Sequence, residues 1–446
     1  MTLREDAINI WNAGLAAVNS STAVNKAVSW NGSRVSIGGT SFDTSQPGRI
    51  LAVGAGKAGA GMASGLEAAL LPHLAADKLS GFINVPSDCL RPSQRIQLHA
   101  ARPPGLNAPT AAAVEGTRII LQRLAALTAD DLAVVLLSGG ASALLCQPAP
   151  PVTLDEKRLV TQLLSSRGAT IHELNLVRSQ ISLVKSGRLA AVCQSRRLVT
   201  LIISDVVGDP LDVIGSGPTV PSAPAHEDAI QVLERYEILH AVPASVRHIL
   251  DGQPAAASLP TCDISHCLIA TSKTARAAAA DCALRLGYHV VPNDIPISGP
   301  AGECGRVLVS ALQQARLSRP NDRVCIISGG EPTVDLSTNP DSATGVGGRN
   351  QELVLAAICQ SPDPESWRGI ALLSGGTDGE DGPTDAAGAV ADAALLDRIA
   401  SEGINARDYL HRHDSWSFFH HVGGHLKTGP THTNVMDLRV GLAAPG

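Results

Sequence analysis

Aromatic side chains are scarce in this 446-residue chain, which has four Phe, three Tyr and four Trp. Proteins that grip single-stranded nucleic acid stack bases on aromatic platforms, and this chain offers few. It also lacks the positive balance of a phosphate-backbone binder. Its 35 Lys and Arg are outweighed by 41 Asp and Glu, for a formal net charge of −6. No nucleic-acid partner is expected, so an anionic ligand must be caught by local features that work against the overall sign. No apolar run nears the ~20 residues that span a bilayer. The start, Met1-Thr-Leu-Arg-Glu-Asp, lacks the apolar core of a signal peptide. A cytoplasmic protein with no membrane partner is the expectation.

Charged residues are few, at 17%, but hydrophobics at 44% describe a globular chain rather than a disordered one. The 42 Gly follow no G-X-Y period, which excludes collagen. Nine cysteines are an odd set in a long chain, and several lie in apolar stretches, so they read as buried free thiols. Cys262 and Cys267 bracket His266 at a spacing that fits no zinc template, and His420, His421 and His425 lack helical pairing or an acidic partner.

What is present is an alternation of short β-branched runs with Ala- and Leu-rich helical stretches, the pattern of an α/β protein with mainly parallel sheets. Five apolar strands run straight into a glycine-rich or acidic turn: Ile50 to Lys57, Val134 to Gly140, Val199 to Asp205, Val324 to Gly330 and Ile370 to Gly376. Three end in Ser-Gly-Gly. Ligands of open parallel sheets bind beyond the carboxyl ends of strands, so five such turns point to a ligand-binding edge. Between them, Thr153-Leu-Asp-Glu156 is a capping box opening a helix that stops near Gly168. Another helix is expected over 274–286, between strands near 266–271 and 288–292. The Pro-rich segment 221–260, with one helix near 227–239, marks a domain boundary near 240. The expected domains are thus 1–240 and 241–446.

Four stretches carry chemistry. Gly54-Ala-Gly56-Lys57-Ala-Gly59 formally matches G-x-G-x-x-G. The acidic ribose anchor expected ~20 residues on is missing. A lysine in the loop suits an anion site made of backbone N–H groups and one mobile ammonium. Phosphate or carboxylate binding, dinucleotide binding and a purely structural turn all remain open. In Ser204-Asp205-Val-Val-Gly208-Asp209, two carboxylates at a strand end suit Mg²⁺, or Asp205 suits a general base, or both are turn formers. Ser328-Gly329-Gly330-Glu331 leads to the Gly-rich run before Arg349, which stands at a predicted helix start where a guanidinium suits a phosphoryl group or a carboxylate. Finally, Gly375 to Asp385 packs four acids and four glycines, among them Asp378. Such density requires a cation or a hydrogen-bond network, and Thr384 or Asp385 is expected to cap a following helix. Arg178 and Lys185 share a helical face, which reads first as a solvated basic face.

Taken together, these motifs resemble the GckA/TtuD-type glycerate 2-kinases, whose C-terminal part is the MOFRL domain. The resemblance spans nearly the whole chain. It rests on the Lys57 loop, Leu136 to Leu145, Asn175-Leu-Val-Arg178, Ser204 to Asp209 and Ile214-Gly-Ser-Gly-Pro-Thr219. Gly347 to Glu352, Gly376 to Gly388 and Thr428 to Asp437 complete it.

The resemblance implies two α/β domains, the N-terminal one Rossmann-like with a mainly parallel sheet, and an active site in the interdomain cleft. It implies ATP- and Mg²⁺-dependent transfer of a phosphoryl group to the 2-hydroxyl of D-glycerate, giving 2-phosphoglycerate. Lys57, Arg349 and Asp205 match the family's catalytic positions. Gly54, Gly56, Ser138, Gly139, Gly140, Ser142 and Arg178 are expected at substrate or phosphate. Ser328, Gly329, Gly330, Glu331, Asp378 and Thr384 are expected at nucleotide, and Asp205 with Asp209 at Mg²⁺. Glycerate and ATP are the expected partners, and any self-association is expected to give a homodimer.

Members also carry a hydroxypyruvate reductase label, which keeps an NAD(P)H-dependent reductase as an alternative, alongside a kinase for a related hydroxy acid and a non-enzymatic sensor. Where many members have His-Pro, this chain has Arg102-Pro103, a change that bears on the acid's pocket. It also reads Gly208-Asp-Pro-Leu-Asp where members often have Gly-Asp-Asp-Pro.

Overall fold

The structure is a computed structural model that describes residues 2–106, 108–222, 226–252, 260–292, 298–336 and 345–445. The chain divides into two compact units, one of residues 20–269 and one of residues 1–19 with 270–446.

The first unit is built on a six-stranded sheet. In space the strands run Ile96–Arg102, Leu79–Pro86, Ile50–Ala55, Leu132–Leu137, Arg197–Ile203 and Asp263–Ala270. Numbered along the chain, that order is 3-2-1-4-5-6, the doubly wound order of mononucleotide-binding halves. The first five strands pair in parallel. Both faces are covered by helices, which is why Ile50–Ala55 and Leu132–Leu137 are apolar at every position and buried along their whole length. The strand order reverses between these two, the place beyond whose carboxyl ends open α/β sheets bind their ligands.

The capping box at Thr153 and Glu156 forms as expected and starts the helix Leu154–Ser166. That helix packs with Ile171–Gln180, His226–Arg235 and Ala244–Asp251 around a core of their own, containing Val160, Val177, Leu233 and Val246. A small antiparallel sheet, Val28–Asn31, Arg34–Ile37 and Thr40–Asp43, completes the unit.

The second unit also has six strands, in the order His289–Val290, Val324–Gly330, Asp437–Ala443, Ile370–Gly376, Gly388–Asp392 and His425–Leu426. This sheet is mixed rather than mainly parallel. Asp437–Ala443 runs between Val324–Gly330 and Ile370–Gly376 and is antiparallel to both. Those two strands therefore point the same way, and their Ser-Gly-Gly ends finish on one edge, where Gly330 and Gly376 both pair with Asp437. Helix Leu3–Ala17, opened by a capping box at Thr2, buries Ala7, Ile10 and Trp11 against Ala279, Leu438 and Leu442. Gly14 lets it approach closely, since a Cβ there would lie 2.5 Å from Leu438 Cδ2 and 2.9 Å from the Ala275 carbonyl.

Residues 1–19 thus pack with the C-terminal unit, and the units change over at 269/270 rather than near 240. Strand Asp263–Ala270 is the sixth strand of the first sheet and carries the first unit beyond the proline-rich stretch. Pro224 and residues 253–259 of that stretch lie outside the described residues. The helices expected over 227–239 and 274–286 span His226–Arg235 and Ser272–Arg285. Among the described residues no helix is long and apolar enough to cross a membrane.

Candidate active site

In the first unit the Lys57 turn leaves the central strand at the point where strand order reverses. Gly54 and Gly56 have φ of 157° and 145°. A Cβ on Gly54 would lie 2.0 Å from the Leu136 carbonyl oxygen, and one on Gly56 would lie 2.0 Å from Ser138 Oγ. The bare backbone of Gly56 therefore makes room for Ser138, whose hydroxyl accepts from the Ala58 N–H at 3.0 Å. The Lys57 N–H donates to the Gly139 carbonyl at 2.9 Å and locks the turn to the end of the neighbouring strand. Gly59 packs helix Gly59–Leu70 onto Ile83 and Val85, where a Cβ would come within 2.9 Å of each.

Gly140, at φ 80°, opens the short helix Ala141–Leu144. A Cβ there would lie 3.2 Å from Arg102 Nη2 and 3.7 Å from Lys57 Cγ. Arg102 is buried and donates to the Leu106 carbonyl. The structure therefore brings Lys57 and Arg102, two cationic side chains, to one glycine turn. Asp205 is half-buried just past Arg197–Ile203, on the same sheet edge and two strands from Lys57, roughly 10 Å across the sheet at ~4.8 Å per strand. Asp209 sits in the turn that follows, with φ 55° and its N–H bonded to the Val206 carbonyl. Among the described residues no three His, Cys, Asp or Glu side chains converge on a metal position.

The solvated basic face expected for Arg178 and Lys185 does not exist. Helix Ile171–Gln180 ends before Lys185, and the following segment turns inward. Lys185 is 1% exposed. Its ammonium nitrogen donates to Ser142 Oγ at 2.7 Å and Ser216 Oγ at 2.6 Å. Arg178 donates to Ser142 Oγ at 2.8 Å, and Ser216 Oγ donates to Asn175 Oδ1 at 3.0 Å. Ser216 holds a left-handed φ of 64° within Gly-Ser-Gly, which aims its hydroxyl at this cluster. Sequence reasoning missed Lys185, Ser216 and Asn175 as one group. The available signal was a lysine embedded in Ile181-Ser-Leu-Val, too apolar a neighbourhood for a solvated face.

In the second unit Arg349 is the first residue of helix Arg349–Gln360, as expected. Its Nε and Nη2 donate in a fork to Asp437 Oδ2 and Oδ1 at 2.8 and 2.9 Å, and its Nη1 donates to Glu331 Oε1 at 3.0 Å. Burial opposes the charge, but Asp437, helped by Glu331 and Asp378, more than offsets it and holds the guanidinium charged above its ordinary range. Three of its five N–H donors are engaged, leaving two for a ligand. Asp437 pairs with Gly330 and Gly376 where the strands Val324–Gly330 and Ile370–Gly376 end, and Glu331, which follows Gly330, bonds to Arg349. Asp437 is the residue missed here. Its motif was legible, but its pairing with Arg349 depends on an antiparallel strand 88 residues away.

The acid-rich loop is resolved by hydrogen bonds. Asp381 is 2% exposed and accepts from the N–H groups of Asn350 and Gln351 and from both their side-chain amides, at 2.8–3.2 Å. It thereby caps the Arg349 helix, a role Gly348 cannot fill. Burial is the largest influence on its carboxyl and raises it to about 6. Asp385 bonds to Lys427 and Trp416 and is pulled down to about 2, Lys427 contributing most. Thr384 Oγ donates to the Asp381 carbonyl and accepts from Gln351 Nε2 and the Ala386 N–H. The element that follows is the strand Gly388–Asp392, not a helix, so neither Thr384 nor Asp385 caps one. Asp378 closes the turn by accepting from the Glu380 N–H at 3.2 Å.

Comparison with known proteins finds two family models. One, described as a domain of unknown function (DUF4147), matches residues 6–251, and the MOFRL family matches residues 324–437. The glycerate kinase of Mus musculus is 34% identical over an alignment covering 100% of this chain and 94% of the relative. The glycerate 2-kinase of Pyrococcus horikoshii is 34% identical, covering 99% and 98%. The crystal structure of glycerate kinase from Thermotoga maritima superposes with a TM-score of 0.80 at 31% identity, covering 99% of each chain.

Proposed function

The chain belongs to the glycerate kinase family that combines a DUF4147 region with a MOFRL region, and we propose that it transfers the γ-phosphoryl group of ATP to the 2-hydroxyl of D-glycerate. The observation that carries this reading is the Lys57 turn at the strand-order reversal, with Arg102 beside it at Gly140. A phosphoryl group in transfer spreads negative charge over its equatorial oxygens, so positioned cations and backbone donors do most of the catalytic work. Each unit offers a cation suited to such charge, Lys57 with the backbone donors of the Ser138 turn in the first and Arg349 with those of the Ser328 turn in the second. Asp205 takes or orients the proton of the 2-hydroxyl as its oxygen bonds to phosphorus and ADP departs. Asp205, with Asp209 nearby, would hold Mg²⁺, which would supply charge neutralisation for the phosphates. Glu331, Asp378 and Thr384 belong to the nucleotide side.

The first loop also argues against the dinucleotide alternative. The space vacated at Gly56 is filled by Ser138, which takes the Ala58 N–H that a pyrophosphate would need.

The test is ADP release with ATP and D-glycerate, L-glycerate, hydroxypyruvate and tartronate, with NADH oxidation as the control. Phosphorus NMR reads regiochemistry directly, because a 2-phosphate couples to one proton and a 3-phosphate to two. D-Glycerate turnover giving a doublet is expected, and a triplet or NADH oxidation without ADP release refutes the reading. Lys57→Ala and Arg349→Ala should each lower kcat by roughly 10²–10³. Wild-type turnover in either variant removes that residue's assigned role.

A further inference from the structure

We propose that Ser142, Asn175 and Arg178, backed by Lys185 and Ser216, form the pocket that takes the carboxylate of the hydroxy-acid substrate. The inference rests on the kinase reading above and adds to it the group that grips the acid.

The first observation is charge without a counter-charge. Lys157, Arg178, Lys185 and Arg188 converge in the first unit. Lys157 and Lys185 are 3% and 1% exposed. Lys157 donates to the Ile181 carbonyl at 3.2 Å, and Arg188 donates to the carbonyls of Ser179 and Ser182. Among the described residues no carboxylate bonds to any of the four. Burying basic groups without an anion is costly for their charged forms, so the cluster is poised to receive one.

The second observation is the shape of the donor set. The Arg178 guanidinium is planar and forked, and beside it stand the Ser142 hydroxyl and the Asn175 amide, all three half-buried. A planar carboxylate matches this set. Lys185 and Ser216 lie deeper and act through Ser142, so Lys185 is a positioning residue.

The third observation is distance along the chain. Ser142 is two residues past Gly140, the turn reached by Lys57 and Arg102, so the two backbone positions are at most ~7.6 Å apart. In a 2-hydroxy acid the carboxylate carbon is bonded to the carbon that bears the reacting oxygen. A carboxylate at Ser142 and Arg178 therefore sets the 2-hydroxyl near Lys57, whereas a 3-hydroxyl lies one carbon further away. The pocket selects both the acid and its phosphorylated position.

Burial first, then Arg178 and Lys157, holds Lys185 well below the ordinary lysine range, with Cys146 working in the opposite direction. A carboxylate arriving at Ser142 favours the charged amine, so binding takes up a proton.

The test is steady-state kinetics of wild type, Lys185→Met and Ser216→Ala, with ATP and D-glycerate varied in turn and thermal melts run alongside. Both variants should raise KM for glycerate roughly ten- to a hundredfold, as expected for lost charged hydrogen bonds, and leave KM for ATP unmoved. Calorimetric titration of D-glycerate in two buffers of different ionisation heat should show proton uptake by wild type that Lys185→Met abolishes. An unchanged glycerate KM in folded variants overturns the pocket, as does a parallel rise in both KM values. If Lys185→Met does not fold, Ser216→Ala and the wild-type proton uptake decide alone, and absence of both effects overturns the pocket. Failure of wild type to phosphorylate glycerate removes the kinase reading together with the pocket. Wild-type turnover with indifferent variants removes only the pocket.

Discussion

Asp381 offers a measurement of how the second unit fixes its arginine. The perturbation is Asp381→Asn. The carboxylate places two oxygens against four donors from Asn350 and Gln351, and an asparagine has one oxygen and one NH₂ for the same four. Gln351 Oε1 is buried without a partner, so that amide can turn over and accept from the new NH₂. A backbone N–H cannot turn, so either Asn350 or Gln351 loses its acceptor. An unsatisfied buried donor costs about 1–3 kcal/mol.

The carboxyl of Asp381 is raised from 3.8 to about 6 in the folded chain. Its folded value lies above its unfolded value, so its contribution to stability is largest in acid and is lost as pH rises through the folded value. The shift of about two units corresponds to about 3 kcal/mol at 1.36 kcal/mol per unit, of which about 2 kcal/mol falls between pH 4.5 and 8. The stability gap between wild type and Asp381→Asn should therefore narrow by about 2 kcal/mol over that range. Urea unfolding of both proteins at pH 4.5, 6 and 8 measures the gap, and the other carboxylates cancel in the difference. A gap that stays constant, or widens with pH, refutes the assignment of a raised, buried carboxyl at the helix start. Turnover at pH 7.5 should fall in the variant because the cap also sets the position of Arg349, and undiminished kcat would show that the helix start does not orient it.

Three further outcomes are expected. Gly56→Ala drives a methyl into Ser138 Oγ and should cost about 1–3 kcal/mol; adding Ser138→Gly should restore part of the thermal stability, and no recovery would place the strain elsewhere. Arg349→Lys keeps the charge but loses the fork to Asp437, so kcat should stay within about tenfold of the Arg349→Ala variant rather than return to wild type, as measured by ADP release. Chelation of Mg²⁺ should abolish turnover, with Asp205→Asn raising the Mg²⁺ concentration needed for half-maximal rate, and metal-independent ADP release would remove the metal role.

Much of this was legible in the sequence because the relevant forces are local. A glycine that needs a bare backbone, a capping box and a β-branched run each declare themselves within a few residues, and so the five strand ends and the helix start at Arg349 could be read directly. What was not legible depends on partners far along the chain. Asp437 meets Arg349 only because the last long strand inserts antiparallel between two parallel ones, and the alternation of strands and helices that suggested mainly parallel sheets says nothing about insertion. The boundary near 240 followed composition, whereas strand Asp263–Ala270 follows the sheet. The first nineteen residues join the C-terminal unit through Trp11 and Gly14, a docking that leaves no mark in sequence order. Lys185 read as part of a basic face because its spacing from Arg178 was taken as helical, but the helix had already ended at Gln180.

The two units handle positive charge in opposite ways, and the difference has chemical consequences. Arg349 is compensated: Asp437 grips it in a fork and Glu331 holds a third N–H, so its charge and direction are set before any ligand arrives. Such a group suits transition-state stabilisation, where a preoriented dipole spends nothing on reorganisation. Lys185 is uncompensated, bonded only to two hydroxyls and surrounded by other cations, so its charge depends on what occupies the pocket. Such a group suits recognition, because an anion that fits both supplies the missing counter-charge and draws a proton onto the amine, while a neutral molecule of the same shape does neither. A net charge of −6 conceals both arrangements, since Lys185 is buried and Arg349 is tied to two carboxylates. Selectivity for an acid and stabilisation of a transferring phosphoryl group are thus separable. Mutations at Lys185 should move glycerate KM, and those at Arg349 should move kcat.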